Sequence, residues 1–440
     1  MLLKKIVFFL LISSCSLYAQ EKKWTLEECV NYALENNVSV KQSMLDWESS
    51  KIDKLEALGS FLPNLNASSS YNVNTGANIN PTTNQFENST FKSFSANANS
   101  SMNLFSGFSN WKRLQRSKLN ALASQYRLEK MNDDIALNVA NSFLQILLQK
   151  EQIKVLENQL EVSIENKNRT SDLIEAGQLP AGDIFEIEAT IATQEQQLIT
   201  AKNNELFAKL GLAQLLLIED YANFDIAEET FSPELSQVYS QTPEVIFEKS
   251  KDIVKDIKIS QSNLDLSKKD LGIARSAYYP RLSGFVGYNT RWSESQILTF
   301  HEQLYLLDGT AIGLQLQVPI FNGFSTRASV KRAKINVKRN ELLVKQSELD
   351  LERNVFQAYN DAINAQKAFF ASQKTVNARK QSYDFSKERY DVGLMNSFDY
   401  MQAKNNYENA EADLIRAKYD YIFRTKILEF YFGIPLIQNN

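Results

Sequence analysis

Two spacings of apolar residues alternate along the chain, and each occurs twice. From Asn64 to Asn74, Leu65, Ala67, Ser69, Tyr71 and Val73 fall on every second position. A polar stretch with Gly76 and Pro81 follows and is expected to form a turn through Asn88. The alternation then resumes: Phe94, Ala96, Ala98, Met102 and Leu104 point one way, and Ser95, Asn97, Asn99, Ser101 and Asn103 the other. Period two with a polar opposite face marks strands wetted on one side. A second pair comes later, carried by Leu282, Val286 and Tyr288 and then by Ile312, Leu314, Leu316, Val318 and Ile320. The predicted strands are 64–74, 91–105, 281–292 and 310–320.

Between the strand pairs the spacing becomes helical. Phe108–Ala176 and Phe324–Val392 are each 69 residues without Gly or Pro, bounded by Gly107 and Gly177 and by Gly323 and Gly393. Val139, Ile146, Ile153 and Leu160 recur every seven residues in the first, and Leu342, Leu349, Phe356, Ile363 and Phe370 in the second. That is the signature of a coiled-coil seam. A helix of this length reaches on the order of 100 Å. Long helices are therefore expected over 108–176 and 324–392, with return helices over 183–217 and 397–432. In the turns, which hold Gly177, Gly182 and Gly393, Gly177 and Gly393 are expected to end helices and Asp183 and Asp399 to cap the next ones. Nearer the N-terminus, Trp24–Leu58 reads as one or two further helices, opening on Thr25 with Glu28 at the capping-box position.

The two halves are a duplication. Pro63 corresponds to Pro280 at an offset of 217; Phe105-Ser106-Gly107-Phe108 corresponds to Phe321-Asn322-Gly323-Phe324 at 216. Gly177 and Asp183 correspond to Gly393 and Asp399, again at 216. The organisation that follows is a first repeat over 20–218, a connector over 219–243, a second repeat over 244–434 and a tail over 435–440. Pro63, Gly107, Pro280, Pro319 and Gly323 then mark the joints between strands and helices.

Charge and composition narrow the setting. Lys4 and Lys5 precede the apolar run Ile6–Ile12, the pattern of a secretion signal. Cleavage after Ala19 makes 1–19 a signal peptide; Ile12-Ser13-Ser14-Cys15 also fits a loose lipobox, with Cys15 as a lipidated N-terminus. Removal of the leader leaves Cys29 as the one cysteine, so no intramolecular disulfide is expected. The net charge of −4 and the lack of a basic domain exclude nucleic acid as a partner. His301, the sole histidine, falls in the loop of the second strand pair, and no metal cluster, cofactor motif or nucleophile–base arrangement accompanies it. An exported hydrolase is disfavoured on that ground, and no cofactor is expected.

Strands of about ten residues have the length of a tilted strand crossing a bilayer. Four cannot close a barrel, and open edges in lipid leave unpaired backbone groups at several kcal/mol each. Three copies supply twelve strands, enough for a closed barrel with a lumen. Tyr71, Phe91, Phe105, Tyr288, Trp292 and Phe321 are candidates for its aromatic girdles, or, for Phe105 and Phe321, for packing at the strand–helix joint.

On Thr25-Leu26-Glu27-Glu28, Pro63 and Pro280, the Phe-x-Gly-Phe joints and the paired Gly-x5-Asp turns, the chain resembles the TolC family of outer-membrane efflux proteins. The resemblance implies an α+β membrane protein: a homotrimeric twelve-stranded barrel in outer-membrane lipid, continued by a periplasmic α-helical tunnel of coiled-coil helices. It implies a Gram-negative outer membrane, with the helical part in the periplasm. The expected partners are a periplasmic adaptor and an inner-membrane pump of the RND, ABC or MFS type. It also implies that Asp399 lines a constriction at the helix turns, where a carboxylate ring favours cations. Gln402 stands where the family usually has a further acidic residue. Asp183 and Tyr390 match positions used for contacts that hold the turns closed. Met395 replaces an arginine seen in some members, so Met395 and Phe398 make the closure partly apolar. The function implied is a passive export duct of a tripartite efflux or type I secretion system, opened when an adaptor docks. The alternative is a periplasmic adaptor or structural coiled-coil protein, disfavoured by the duplication and the four amphipathic strands.

Overall fold

The computed structural model describes residues 23–79, 83–177, 179–229, 231 and 236–435, and gives no side-chain placement for Asn78. The expected leader with Cys15, Gln178 of the first turn, Pro233 of the connector and the last five residues of the tail lie outside the described residues. In chain order the elements are β1 (Lys23–Trp24), α1 (Leu26–Asn36), α2 (Val38–Gly59), β2 (Asn64–Ile79), β3 (Phe86–Phe105), α3 (Ser109–Glu175), α4 (Asp183–Leu216), β4 (Asp225–Ile226), α5 (Pro243–Ile253), α6 (Lys255–Ser276), β5 (Arg281–Ser293), α7 (Phe300–Leu306), β6 (Gly309–Gln317), α8 (Ser325–Asp391) and α9 (Ser397–Phe432). The chain divides into two compact units that each draw on both sequence repeats. One holds residues 1–43, 128–255 and 348–440, the other 44–127 and 256–347.

The second of these contains the sheet, antiparallel throughout in the order β2-β3-β5-β6. Its strands differ from the predicted bounds. β2 and β3 pair without interruption from Asn64↔Ser101 to Ile79↔Phe86, so most of the expected polar turn is ladder. Side-chain hydrogen bonds across the ladder account for this where apolar alternation lapses: Thr75 with Thr90 at 3.0 Å, Asn74 to Ser93 at 3.1 Å and Ser70 with Ser95 at 2.9 Å. β6 stops at Gln317, short of the predicted 320, because Pro319 has no N–H to give a ladder. Pro63 and Pro280 immediately precede β2 and β5. The loop between β5 and β6 holds an unforeseen helix, α7, started by a capping box in which Thr299 and Glu302 satisfy each other's backbone N–H groups.

The other unit is helical. Its core packs Val139, Phe143 and Ile146 of α3 against Leu212 and Leu216 of α4, Ile415 and Ile422 of α9, and Cys29, Val30 and Ala33 of α1. The predicted N-terminal capping box is present: Glu28 N–H donates to Thr25 Oγ1 at 3.2 Å, and Thr25 N–H to Glu28 at 3.0 Å. Buried Asn37 separates α1 from α2, donating from Nδ2 to the Leu215 carbonyl at 2.9 Å while its Oδ1 accepts from Ser39 N–H at 2.8 Å. The connector is partly built: β4 pairs in parallel with β1, and Asp225 takes Lys150 at 2.7 Å and Lys209 at 3.0 Å. Burial works against the Asp225 carboxylate, yet the hydrogen bonds from these two lysines hold it below the usual aspartate range.

The seven-residue series in α3 is the buried one: Val139, Ile146 and Ile153 are nearly inaccessible. In α8 the expected series is not. Leu342, Leu349 and Phe370 are 69%, 51% and 43% exposed and Phe356 and Ile363 half-buried, while Leu351, Val355, Ala358, Ala362, Ala365 and Phe369 are buried. The two stripes fall on different faces of the helix, and the packed one is rich in alanine, which permits close approach of a neighbouring backbone.

Candidate functional site

Both strand-to-helix joints are built alike. Gly107 and Phe108 have φ of +62° and +65°, and Gly323 and Phe324 have φ of +60° and +64°. Ser109 N–H donates to the Ser106 carbonyl at 3.1 Å, and Ser325 N–H to the Asn322 carbonyl at 3.2 Å. Two consecutive left-handed residues closed by such a bond make a primed tight turn between strand and helix. Glycine adopts that conformation freely; phenylalanine does not. Each phenylalanine is held there edge-on to the one three residues earlier, Phe105–Phe108 at 5.3 Å and Phe321–Phe324 at 5.7 Å. Phe105 and Phe321 thus pack at the joint, as one of their two expected roles requires.

The two joints differ in what surrounds them. A methyl group on Gly107 would fall 2.6 Å from the Ser276 carbonyl oxygen and 2.8 Å from Tyr279 Cβ, whereas at Gly323 nothing lies within 4 Å.

The sheet beyond these joints has two unlike faces. Register puts Tyr71, Phe94 and Trp292 on one, with Ala96, Met102, Val286, Ile312 and Leu314. The other carries Asn66, Asn97, Asn99, Ser95 and Asn289, and with them Phe91, which is therefore not a girdle residue on the apolar side. On that polar face Phe285 lies across Gly313, close enough that a Cβ there would sit 2.8 Å from its ring. β2 and β6 are the sheet's edges.

In the helical unit, the hairpin turns contain the other predicted residues. Gly393, with φ of +75°, ends α8 in a Schellman motif: Gly393 N–H donates to Tyr390 and Leu394 N–H to Arg389. Gly177, at +73°, makes the corresponding bond to Ile174. The expected aspartate caps are otherwise arranged. Gly182 is the N-cap of α4, with Asp183 half-buried as the first helical residue. Asn396 caps α9: its Oδ1 accepts from Asp399 N–H at 2.8 Å and its Nδ2 donates to the Asp399 carboxylate at 2.8 Å. Asn396 reaches the free N–H three residues on, which is why it takes the cap and leaves Asp399 exposed in the first turn.

Of the other predicted turn residues, Phe398 is 66% exposed and Met395 half-buried. Tyr390 turns inward, stacked on Tyr400 at 4.6 Å, its hydroxyl buried without a partner among the described residues. Tyr400 stacks in turn on Tyr383, and Tyr383 on Tyr407, a four-ring ladder binding α8 to α9. Sequence reasoning passed over this ladder, although the i, i+7 spacings 383/390 and 400/407 were legible. It also passed over Val392, Leu394 and Phe185, which are 68%, 70% and 69% exposed around the turns.

Below the ladder lies a buried charged pair. Lys404, 3% exposed, donates to Ser163 Oγ and meets Glu408 at 3.5 Å; Gln194 donates to the same carboxylate at 3.1 Å. Burial lowers the Lys404 ammonium below the usual lysine range despite Glu408, and raises the Glu408 carboxyl despite Lys404 and Gln194.

Amphipathic strands with open edges, joined by built turns to paired helices, define the protomer of a barrel-and-helix outer-membrane protein. The family model for outer membrane efflux proteins matches residues 29–216 and 253–433, and the chain belongs to that family. Its members are channels of the Gram-negative outer membrane rather than enzymes. Among curated relatives, the proteases secretion protein PrtF of Dickeya chrysanthemi is 24% identical over 51% of this chain and 47% of that one. The pyoverdine export outer membrane protein OpmQ of Pseudomonas aeruginosa is 26% identical over 50% and 44%. The chain spans about half the length of these relatives. The fold matches the CmeC outer membrane channel of Campylobacter jejuni with a TM-score of 0.76 at 20% identity, over 94% of this chain and 87% of that one.

Proposed function

We propose that the chain is one third of a passive outer-membrane duct, serving a tripartite efflux or type I secretion assembly. The observation that carries the trimer is the unequal surroundings of two equivalent joints. Gly107 is covered by the turn Ser276–Tyr279 of its own chain, and Gly323 by nothing. The repeat makes Gly59–Leu62 the counterpart of Ser276–Tyr279, and both turns close with the same bond, Leu62 N–H to Gly59 at 2.9 Å and Tyr279 N–H to Ser276 at 3.1 Å. Seated on Gly323 of the next copy, Gly59–Leu62 gives both joints one environment and brings the edge of β2 to the edge of β6. Repeated head to tail, that contact closes a ring. Three copies give the twelve strands that a lumen needs.

The apolar face of the sheet then meets outer-membrane lipid, and the Asn/Ser face lines the lumen. The hairpin turns are the closable end: Asp399 supplies a ring of charge, Phe398 and Met395 its apolar flank, and Asp183 the polar rim. Tyr390 acts from behind, setting the turn through its stack on Tyr400. The exposed apolar surface of Val392, Leu394 and Phe185 suits the helical hairpin of a periplasmic adaptor, with an RND, ABC or MFS pump supplying the energy. Two curated relatives export unlike cargo by name, proteases and pyoverdine, which fits a duct whose specificity lies in the pump.

The test is fractionation and electrophoresis. A heat-modifiable trimer in the outer-membrane fraction is expected; a monomer in the soluble periplasmic fraction would refute the reading.

A further inference from the structure

We infer that α7, in the loop between β5 and β6, is a membrane-surface helix that seats its C-terminal end in the outer leaflet of the bilayer. The inference rests on the barrel reading and concerns a segment that reading leaves unused.

The loop does not project freely from the strand ends. Gln303, fully buried, donates to the carbonyls of Ser293 at 3.0 Å and Leu298 at 2.7 Å and accepts from Ser293 N–H at 2.8 Å. Phe300 lies against Trp292 at 5.4 Å and Phe94 at 5.6 Å, and Thr290 Oγ1 donates to the Leu304 carbonyl at 2.8 Å. Phe94 and Trp292 are cross-strand partners, and Thr290 lies two residues along the same strand. All three therefore project from one face, and it is the apolar face, shared with Ala96, Val286 and Leu314. The helix is folded onto the side of the sheet that lipid covers.

Its direction follows from the same contacts. Phe300 is level with Trp292, and Leu304 with Thr290, so the helix descends along β5 toward the barrel's middle. Thr290 is nine residues beyond Arg281, roughly 30 Å along the strand. At a tilt of about 40° that is a height of about 23 Å, close to the outer rim of an apolar band about 25 Å tall. His301 and Glu302 are exposed with Phe300 at the upper end, and Tyr305 and Leu306, 74% and 67% exposed, at the lower, ahead of exposed Asp308. A short helix at the rim, beside Trp292 and with Tyr305 and Leu306 exposed along it, has the distribution of an interfacial anchor. The partner is the headgroup–acyl boundary, continuous with the lipid that the sheet already faces.

The test uses nitroxide labels on single cysteines, in a Cys29→Ser background and in trimers reconstituted into phospholipid vesicles. Labels at His301→Cys, Tyr305→Cys, Leu306→Cys and, as a barrel control, Leu314→Cys are compared for relaxation by oxygen, which partitions into lipid, and by a water-soluble nickel chelate. The expected result is an oxygen-to-nickel ratio at positions 305 and 306 close to that at 314 and several-fold above that at 301. A ratio at 305 and 306 equal to that at 301, with 314 reading as lipid, would overturn the inference and leave the barrel standing. Shielding of 305 and 306 from both reagents would overturn it in favour of burial against a second copy. A water-like ratio at 314 would bring down the barrel reading itself.

Discussion

Replacing Gly107 or Gly323 by alanine tests whether one chain is a third of a ring. Both glycines have φ near +60°, so each alanine incurs the left-handed penalty of about 1–2 kcal/mol. Gly107→Ala adds a clash, because its Cβ would fall 2.6 Å from the Ser276 carbonyl oxygen and 2.8 Å from Tyr279 Cβ. Those atoms belong to a turn closed by its own hydrogen bond, Tyr279 N–H to Ser276 at 3.1 Å, and cannot shift cheaply. Overpacking of this kind costs about 1–3 kcal/mol, giving roughly 2–5 kcal/mol for Gly107→Ala. In the isolated chain Gly323→Ala has only the backbone penalty, since nothing lies within 4 Å. In the ring, Gly59–Leu62 of the next copy occupies that space and the two variants become equivalent. The measurement has two parts: unfolding of detergent-solubilised monomer by circular dichroism, and the temperature at which the SDS-resistant trimer dissociates. Gly107→Ala should be the more damaging in the monomer, and the two should converge in the trimer. A Gly323→Ala trimer that dissociates no earlier than its monomer penalty demands would show that no neighbouring turn seats on this joint.

Glu408→Gln should cost about 3–5 kcal/mol at neutral pH by leaving the buried Lys404 ammonium without its carboxylate. Burial already lowers the Lys404 pKa, so the folded state holds fewer protons than the unfolded one between that lowered value and the usual 10.5, and stability rises with pH across the window. The deficit of Glu408→Gln in thermal unfolding should therefore shrink between pH 7 and pH 10; a deficit that grew would contradict the assignment. Asp399→Asn should weaken cation preference in planar-bilayer conductance while changing stability little, since the amide still accepts from Asn396; an unchanged cation/anion ratio removes Asp399 from the constriction. Leu217 ends α4 at φ +58° where the repeat has Gly433, and its side chain is 46% exposed. Leu217→Gly should raise stability by about 1 kcal/mol, seen as a higher midpoint of thermal unfolding, and a lower midpoint would mean that the leucine's packing outweighs its strain.

What the sequence made legible was whatever depends on one residue's own chemistry. Pro63 and Pro280 announce strands because proline stands at a strand's start. Gly177 and Gly393 end helices because the left-handed position suits glycine. The Thr25 and Thr299 capping boxes have the same Thr-x-x-Glu spacing, and the second escaped notice only because no helix was sought in a loop. Features set by competition between residues were not legible. Asn396 takes the cap by accepting from Asp399's own N–H, which starts the helix three residues earlier and leaves Asp399 inside its first turn. Paired hydroxyls and amides extend β2 and β3 through a stretch whose composition suggests a turn. Phe108 and Phe324 occupy a backbone region that phenylalanine avoids, because Phe105 and Phe321 hold them there.

The stripe in α8 is the instructive miss. A heptad count registers apolar residues without saying which neighbour covers them, and α8 has two candidate stripes on different faces. Its own chain takes the alanine-rich stripe from Leu351 to Phe369, and Leu342, Leu349 and Phe370 remain in solvent. In α3, Val139, Ile146 and Ile153 of the heptad series are buried within the chain, so the two helices, alike in pattern, are unlike in what they bury. The joints repeat this inequality, with Gly107 covered and Gly323 bare. So do the strands, which leave β2 and β6 as edges. On the proposed ring, what the second half leaves uncovered is what the first half of another copy covers. The sequence repeat and the exposed stripe are then two signs of that one arrangement.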